Sequence, residues 1–170
     1  MKKNQKGFSL IELLIVVAII LIIAAIAIPN LLRARISANE SSAVGSTRTI
    51  VTTEVQYSTT YGTGFSPDLA SLGGGAGCVA AAADACLIDP ALTTGTKSGY
   101  TFLAVPNTGA GTTVSPYTGF EENATPLSAS TGSRAFCSDQ TGVIHYQLGI
   151  AGIGTGAGTC SGLPATQVLQ

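Results

Sequence analysis

Glu12 is the side chain whose setting most demands a chemical explanation. It stands at the edge of an apolar run, Leu13 to Ile28, where sixteen residues carry no charge and no hydrogen-bonding side chain. A carboxylate drawn to the middle of a bilayer costs roughly 2.5–3.5 kcal/mol on insertion scales. It therefore weakens the segment as a simple anchor and calls for an explanation other than anchoring. Catalytic constellations are missing elsewhere. The single histidine, His145, alternates with Ile144 and Tyr146 in a strand-like run and reads as a sheet-surface residue. No Gly-x-Ser-x-Gly, Walker-type loop or histidine pair is present. The expectation is a non-enzyme with no cofactor and no metal.

Composition narrows the classes further. Charged residues make up 10% of the 170, well under the usual quarter. Three of the eight basic residues, Lys2, Lys3 and Lys6, precede the apolar run; without them five Lys/Arg face nine Asp/Glu, a side-chain balance of −4. With no basic cluster downstream, no nucleic-acid partner is predicted. The ten Phe and Tyr residues are scattered and give no stacked path for electron transport. The cysteines, Cys78, Cys86, Cys137 and Cys160, include no Cys-x-x-Cys pair, which is poor material for a zinc site. An even count behind an export-like start favours disulfides in an oxidising compartment. Three pairings exist; Cys78–Cys86 with Cys137–Cys160 is preferred because each closes a local loop, but the sequence leaves the connectivity open.

The N-terminus admits three readings. An ordinary secretory signal would use the basic tip, an apolar core and Ala25-Ile26-Ala27 as its cleavage site. The run is longer than a typical core of about 7–15 residues, and Glu12 interrupts it. A plain transmembrane anchor fits Phe8–Ile28, about 31 Å as a helix, with the lysine-rich tip held in the cytoplasm, yet leaves Glu12 unexplained. The third reading uses every piece. Lys6-Gly7-Phe8-Ser9-Leu10-Ile11-Glu12 resembles the prepilin cleavage motif of the type IV pilin and type II secretion pseudopilin family. The resemblance extends through "FSLIELLIVVAII" and "AAIAIPN" to about Asn30.

That resemblance implies a leader, residues 1–7, removed between Gly7 and Phe8 by a membrane-embedded peptidase that also N-methylates Phe8. It makes Glu12 the assembly glutamate. It further implies inner-membrane residence as a single-pass precursor with a cytoplasmic N-terminus. From there the subunit would join a periplasmic or extracellular filament of identical or related subunits, through a platform protein and a cytoplasmic ATPase. The chemistry is coherent. Cleavage would leave a cationic amine on Phe8, which methylation would not discharge. Apolar helices gain little by leaving lipid for one another, so a charge pair between neighbours would set the axial register. Some pseudopilins hold calcium in late loops; Glu121, Glu122 and Asp139 match no such pattern and read as solvated carboxylates. The alternative is a tethered or secreted binding domain that uses the N-terminus only for export.

The elements that must position this segment follow from patterning. Residues 8–28 read as the filament-core helix, with a kink near Pro29, whose missing N–H would have reached the Ala25 carbonyl. Residues 29–61 read as an amphipathic continuation, with Leu32, Ile36, Ala43, Val44, Thr47, Ile50, Val51, Val55 and Tyr61 on one face. The head, residues 62–170, opens with a variable loop from Gly62 to Ser98, in which Ser66-Pro67 and Asp89-Pro90 each read as helix cap plus first-position proline. Tyr100–Val105, Arg134–Cys137 and Val143–Leu148 are strand candidates, and the surroundings of Tyr117–Phe120 a weaker one. These predict an α+β fold: a long helix on an antiparallel sheet of three or four strands, with a glycine-rich tail tied back by Cys160. Asn39-Glu40-Ser41 and Asn123-Ala124-Thr125 fit the glycosylation triplet, which also arises by chance.

Overall fold

The computed structural model describes residues 8–75, 77–153, 158–164 and 167–169. In chain order the elements are α1 (Leu10–Tyr61), α2 (Leu69–Leu72), α3 (Pro90–Thr93), β1 (Thr96–Lys97), β2 (Tyr100–Pro106), β3 (Phe120–Pro126), β4 (Arg134–Asp139) and β5 (His145–Leu148). Two compact units divide the chain, one through Arg35 and one from Ile36 onward, and α1 contributes to both.

In the first unit α1 is apolar all round. Its most apolar 18-residue window has a mean hydropathy of 3.3, and none of it is buried. A helix that is hydrophobic on every side needs lipid or other protein as its surroundings. Pro29 lies inside α1, which continues past it without a stop.

In the second unit α1 turns Glu40, Ala43, Ser46, Thr47, Ile50, Thr53, Glu54 and Tyr57 inward. Steps of three and four residues from 40 to 57 keep these positions on one face. The apolar pattern located Ala43, Thr47 and Ile50 correctly but misplaced the end of the stripe. Val55 is exposed, and Tyr57 fills the seam in its place. The pattern misled because two seam positions are glutamates.

The sheet is antiparallel in the order β1-β2-β3-β4-β5. Ala124 on β3 lies opposite Phe102 on β2 and Phe136 on β4. These three, with Tyr100, Ile50, Tyr57, Leu72 and Leu92, form the main core. A second, smaller cluster joins Ala135, Cys137, Ile153 and Cys160. The sheet has five strands, more than expected, and the weak candidate at 117–120 is displaced to a full central strand. "FEENATP" has little strand signature, but β2 and β4 hydrogen-bond to it on either side.

The disulfides are Cys78–Cys86 and Cys137–Cys160. The second fixes the C-terminal segment to β4. In the chain-entropy model a loop of this length is worth about 3 kcal/mol. Replacing Cys137 and Cys160 together by alanine should lower the stability of this unit by about that amount. Chemical denaturation of the full chain in detergent, followed by hydrogen exchange on β4, would show it.

The variable loop contains α2, α3 and β1. Asp89 caps α3, accepting from the Leu92 N–H at 3.0 Å, with Pro90 at the first helical position. The other cap differs from expectation: Asp68, not Ser66, caps α2 and accepts from the Ser71 N–H at 2.8 Å. Ser66 is buried and serves Glu54 instead.

Candidate functional site

Ser9, Leu10, Ile11 and Glu12 build the start of α1. The Ser9 carbonyl accepts the Leu13 N–H at 3.3 Å, which makes Ser9 the N-cap. One oxygen of Glu12, Oε2, accepts the Ser9 N–H at 2.9 Å. This is one arm of a capping box, the Ser-x-x-Glu pattern that opens a helix. The other oxygen, Oε1, has no hydrogen-bond partner among the described residues. Half of the carboxylate thus completes the helix start while half remains available to an outside cation. Phe8, four residues ahead, is exposed. Gly7 and the lysine-rich tip lie outside the described residues, so the expected cleavage bond is described on its Phe8 side only.

The capping box is visible in the sequence as Ser9-x-x-Glu12 ahead of an apolar run, yet reading Glu12 as a charge in search of a countercharge passes over it. The two roles are compatible, since the cap engages one oxygen and a countercharge would use the other. Beyond Glu12 the apolar residues through Ile28 expose their side chains on every face.

Most acids of the second unit hold its own elements together. Glu40 accepts from the Ser133 N–H at 2.9 Å, the Ser133 hydroxyl at 2.7 Å, and Arg134 Nε and Nη2 at 2.9 and 2.6 Å. Burial pushes the Glu40 carboxyl up, but the bonds from Ser133 and Arg134 outweigh it and hold the group below its usual range. Arg134 is further fixed 5.6 Å above the rings of Phe136 and Tyr146. Glu54, fully buried, accepts from Ser66 N–H and hydroxyl at 2.8 and 2.6 Å. Burial raises its carboxyl to about 7, and the nearby Asp68 adds to the rise.

Glu121, Glu122 and Asp139 are not solvated as expected; all three are buried. Glu121 accepts from the Thr159 hydroxyl at 2.5 Å, and Asp139 from the Thr141 N–H at 2.9 Å. Glu122 meets Thr47 of α1 at 3.2 Å, while its Oε2 has no partner among the described residues. Burial lifts its carboxyl to about 8. The central position of β3 explains the error, because its neighbours, not its composition, bury it. Among the described residues no group of three or more His, Cys, Asp or Glu is placed to hold a metal ion. His145 is half-buried on β5 opposite Cys137. Of the triplet asparagines, Asn123 is buried and Asn39 donates to the Thr131 carbonyl at 2.9 Å.

Residues 2–28 match the family model described as the prokaryotic N-terminal methylation motif. The chain is also similar to the "Type IV wide pilus major component PilA4" of Thermus thermophilus, with 67% identity over 39 residues. That match covers 23% of this chain and 30% of the relative, so the chain spans less than a third of that relative's length in the match. No solved structure matches the chain. The methylation motif, a segment similar to a type IV pilus component and a long helix with an antiparallel sheet together support a type IV pilin-like chain.

Proposed function

We propose that this chain is a non-catalytic subunit of a type IV pilus, synthesised as an inner-membrane precursor with its N-terminus in the cytoplasm. A prepilin peptidase cuts between Gly7 and Phe8 and methylates the Phe8 amine. The processed helix, 8–28, leaves the bilayer for the filament core, where Glu12 faces the Phe8 amine of a neighbouring copy. Pro29 relaxes the helix between this segment and the part that carries the head. A platform protein and an assembly ATPase drive the transfer. The type II secretion pseudopilus remains the family-level alternative; the wide-pilus relative favours the pilus.

The observation that carries this reading is the Glu12 carboxylate itself. It stands at the head of a fully exposed apolar helix, half engaged in its own cap and half open. The desolvation of a lone carboxylate is offset when a cation shares its surroundings, and the amine created four residues upstream is the cation that processing supplies. Mass spectrometry of material sheared from cells tests the reading. The expected species begins at N-methyl-Phe8 and retains both disulfides. A chain beginning at Ile28, or one absent from the sheared fraction and retained in membranes, would support the tethered-domain alternative.

A further inference from the structure

Two charged side chains of the second unit have neither an ion pair nor a side-chain hydrogen bond among the described residues. Its three described cations are Arg48, Lys97 and Arg134. Lys97 pairs with Asp89 at 2.7 Å and Arg134 with Glu40 at 2.6 Å. Arg48 is exposed and its guanidinium has no partner among the described residues. The carboxylates divide the same way. Glu40, Glu54, Asp68, Asp89, Glu121, Glu122 and Asp139 each accept a bond described above, whereas the exposed side chain of Asp84 accepts none among the described residues.

Position separates these two groups as clearly as sign. Arg48 lines a groove of about 280 Å³ with Glu40, Ser41, Val44, Arg134 and Leu169. This groove lies toward the β5 edge, where the Leu169 N–H bonds the Ile144 carbonyl at 2.9 Å and Val168 bridges to His145. Asp84 sits in the loop closed by Cys78–Cys86, which also exposes Val79. That loop is tied to α2 and leads through α3 into β1, at the opposite edge of the sheet. Its level along α1 is set by the Tyr57 hydroxyl, which donates to the Ala82 carbonyl at 2.7 Å. Nine residues of helix separate Tyr57 from Arg48, about 13 Å.

We infer that the Cys78–Cys86 loop of one copy docks into the Arg48 groove of a second copy, pairing Asp84 with Arg48 and seating Val79 against Val44 and Leu169. Two different patches on opposite edges make a head-to-tail contact, which propagates as an open helical assembly where its rotation does not close a ring. The offset along α1 requires neighbours to be staggered. The disulfide and the Ala81–Asp84 bridge hold the loop in shape beforehand, which limits the ordering cost of docking. The inference rests on the filament reading above.

Charge reversal tests it in cells making the full chain. Exposed pairs are worth up to about 1 kcal/mol, roughly five-fold. R48D and D84R should each lower the yield of sheared filament by about that factor, with precursor level and Phe8 processing unchanged. The double reversal should restore the yield to nearly that of the unaltered chain. Single reversals without effect, or a double variant as poor as the product of the singles, would overturn the contact while leaving the filament reading intact. Absence of sheared filament from the unaltered chain would overturn both.

Discussion

Glu12→Gln should reduce filament yield by about two to four orders of magnitude while leaving membrane insertion and Gly7–Phe8 cleavage intact. Glutamine separates the two roles of this residue. Its amide oxygen can still accept the Ser9 N–H that Glu12 accepts in the structure, so the helix start survives. Loss of a cap costs about 1 kcal/mol, under ten-fold in an equilibrium. Removing one member of a buried ion pair costs about 3–5 kcal/mol, because the other charge is left without compensation. The difference in magnitude decides between the roles: a deficit of at most a few-fold, from a cap that glutamine retains or weakens slightly, would mean that capping is the whole function, whereas a deficit above about a hundred-fold means that the charge is required. Quantitative immunoblotting of sheared and membrane fractions separates these outcomes. Glu12→Ala removes both roles and should be no milder than glutamine.

The second large effect concerns the head. Glu54 and Glu122 are fully buried where α1 meets its coverings, one against Ser66 and one against Thr47. Neither is met by a cation, and burial raises their carboxyls from 4.5 to about 7 and about 8. Between pH 4.5 and those values the folded chain keeps protons that the unfolded chain has released. Stability therefore falls as pH rises, by up to about 1.4 kcal/mol per pH unit for each group. The contribution is fully present below pH 4.5 and lost once pH has passed through about 8. Glu40 and Asp89, both held below their usual values, act oppositely and lose their contribution as the medium becomes more acid. The head should thus be most stable near pH 4.5–5 and markedly weaker above pH 8. Glu122→Gln, neutral at every pH, should roughly halve the slope between pH 5 and 7 and nearly abolish it between 7 and 8. Unfolding midpoints of the full chain in detergent across this range provide the measurement. Stability that rises from pH 5 to 8 in the parent chain would contradict the assignment of buried neutral acids.

The parts legible in the sequence are those encoded by neighbours along the chain. Residues 2–28 carry a linear pattern, and the exposed apolar helix that begins within it at Leu10 is read directly from hydropathy. Both disulfides close local loops, the Asp89-Pro90 cap is formed by adjacent residues, and β2 and β4 have aromatic or β-branched runs. What escaped is set by partners distant in sequence. Phe120–Pro126 becomes a central strand because β2 and β4 flank it, not because Glu-Glu-Asn favours extension. Glu40 and Glu54 enter no apolar stripe, yet they occupy buried seam positions because Arg134, Ser133 and Ser66 satisfy them. Ser66 has the composition of a helix cap and is claimed by Glu54 instead. The Glu12 cap is the exception: it is local and legible, but a more dramatic reading of the same carboxylate obscures it.

The central claim concerns where that carboxylate goes on assembly. A helical reconstruction of the native filament, at a resolution that shows side chains, tests it most directly. The account predicts Glu12 shielded from water, with Oε2 still on the Ser9 N–H and Oε1 within hydrogen-bonding distance of the methylated Phe8 amine of an adjacent copy. Glu12 open to solvent, or buried with no cationic group opposite it, would contradict the account.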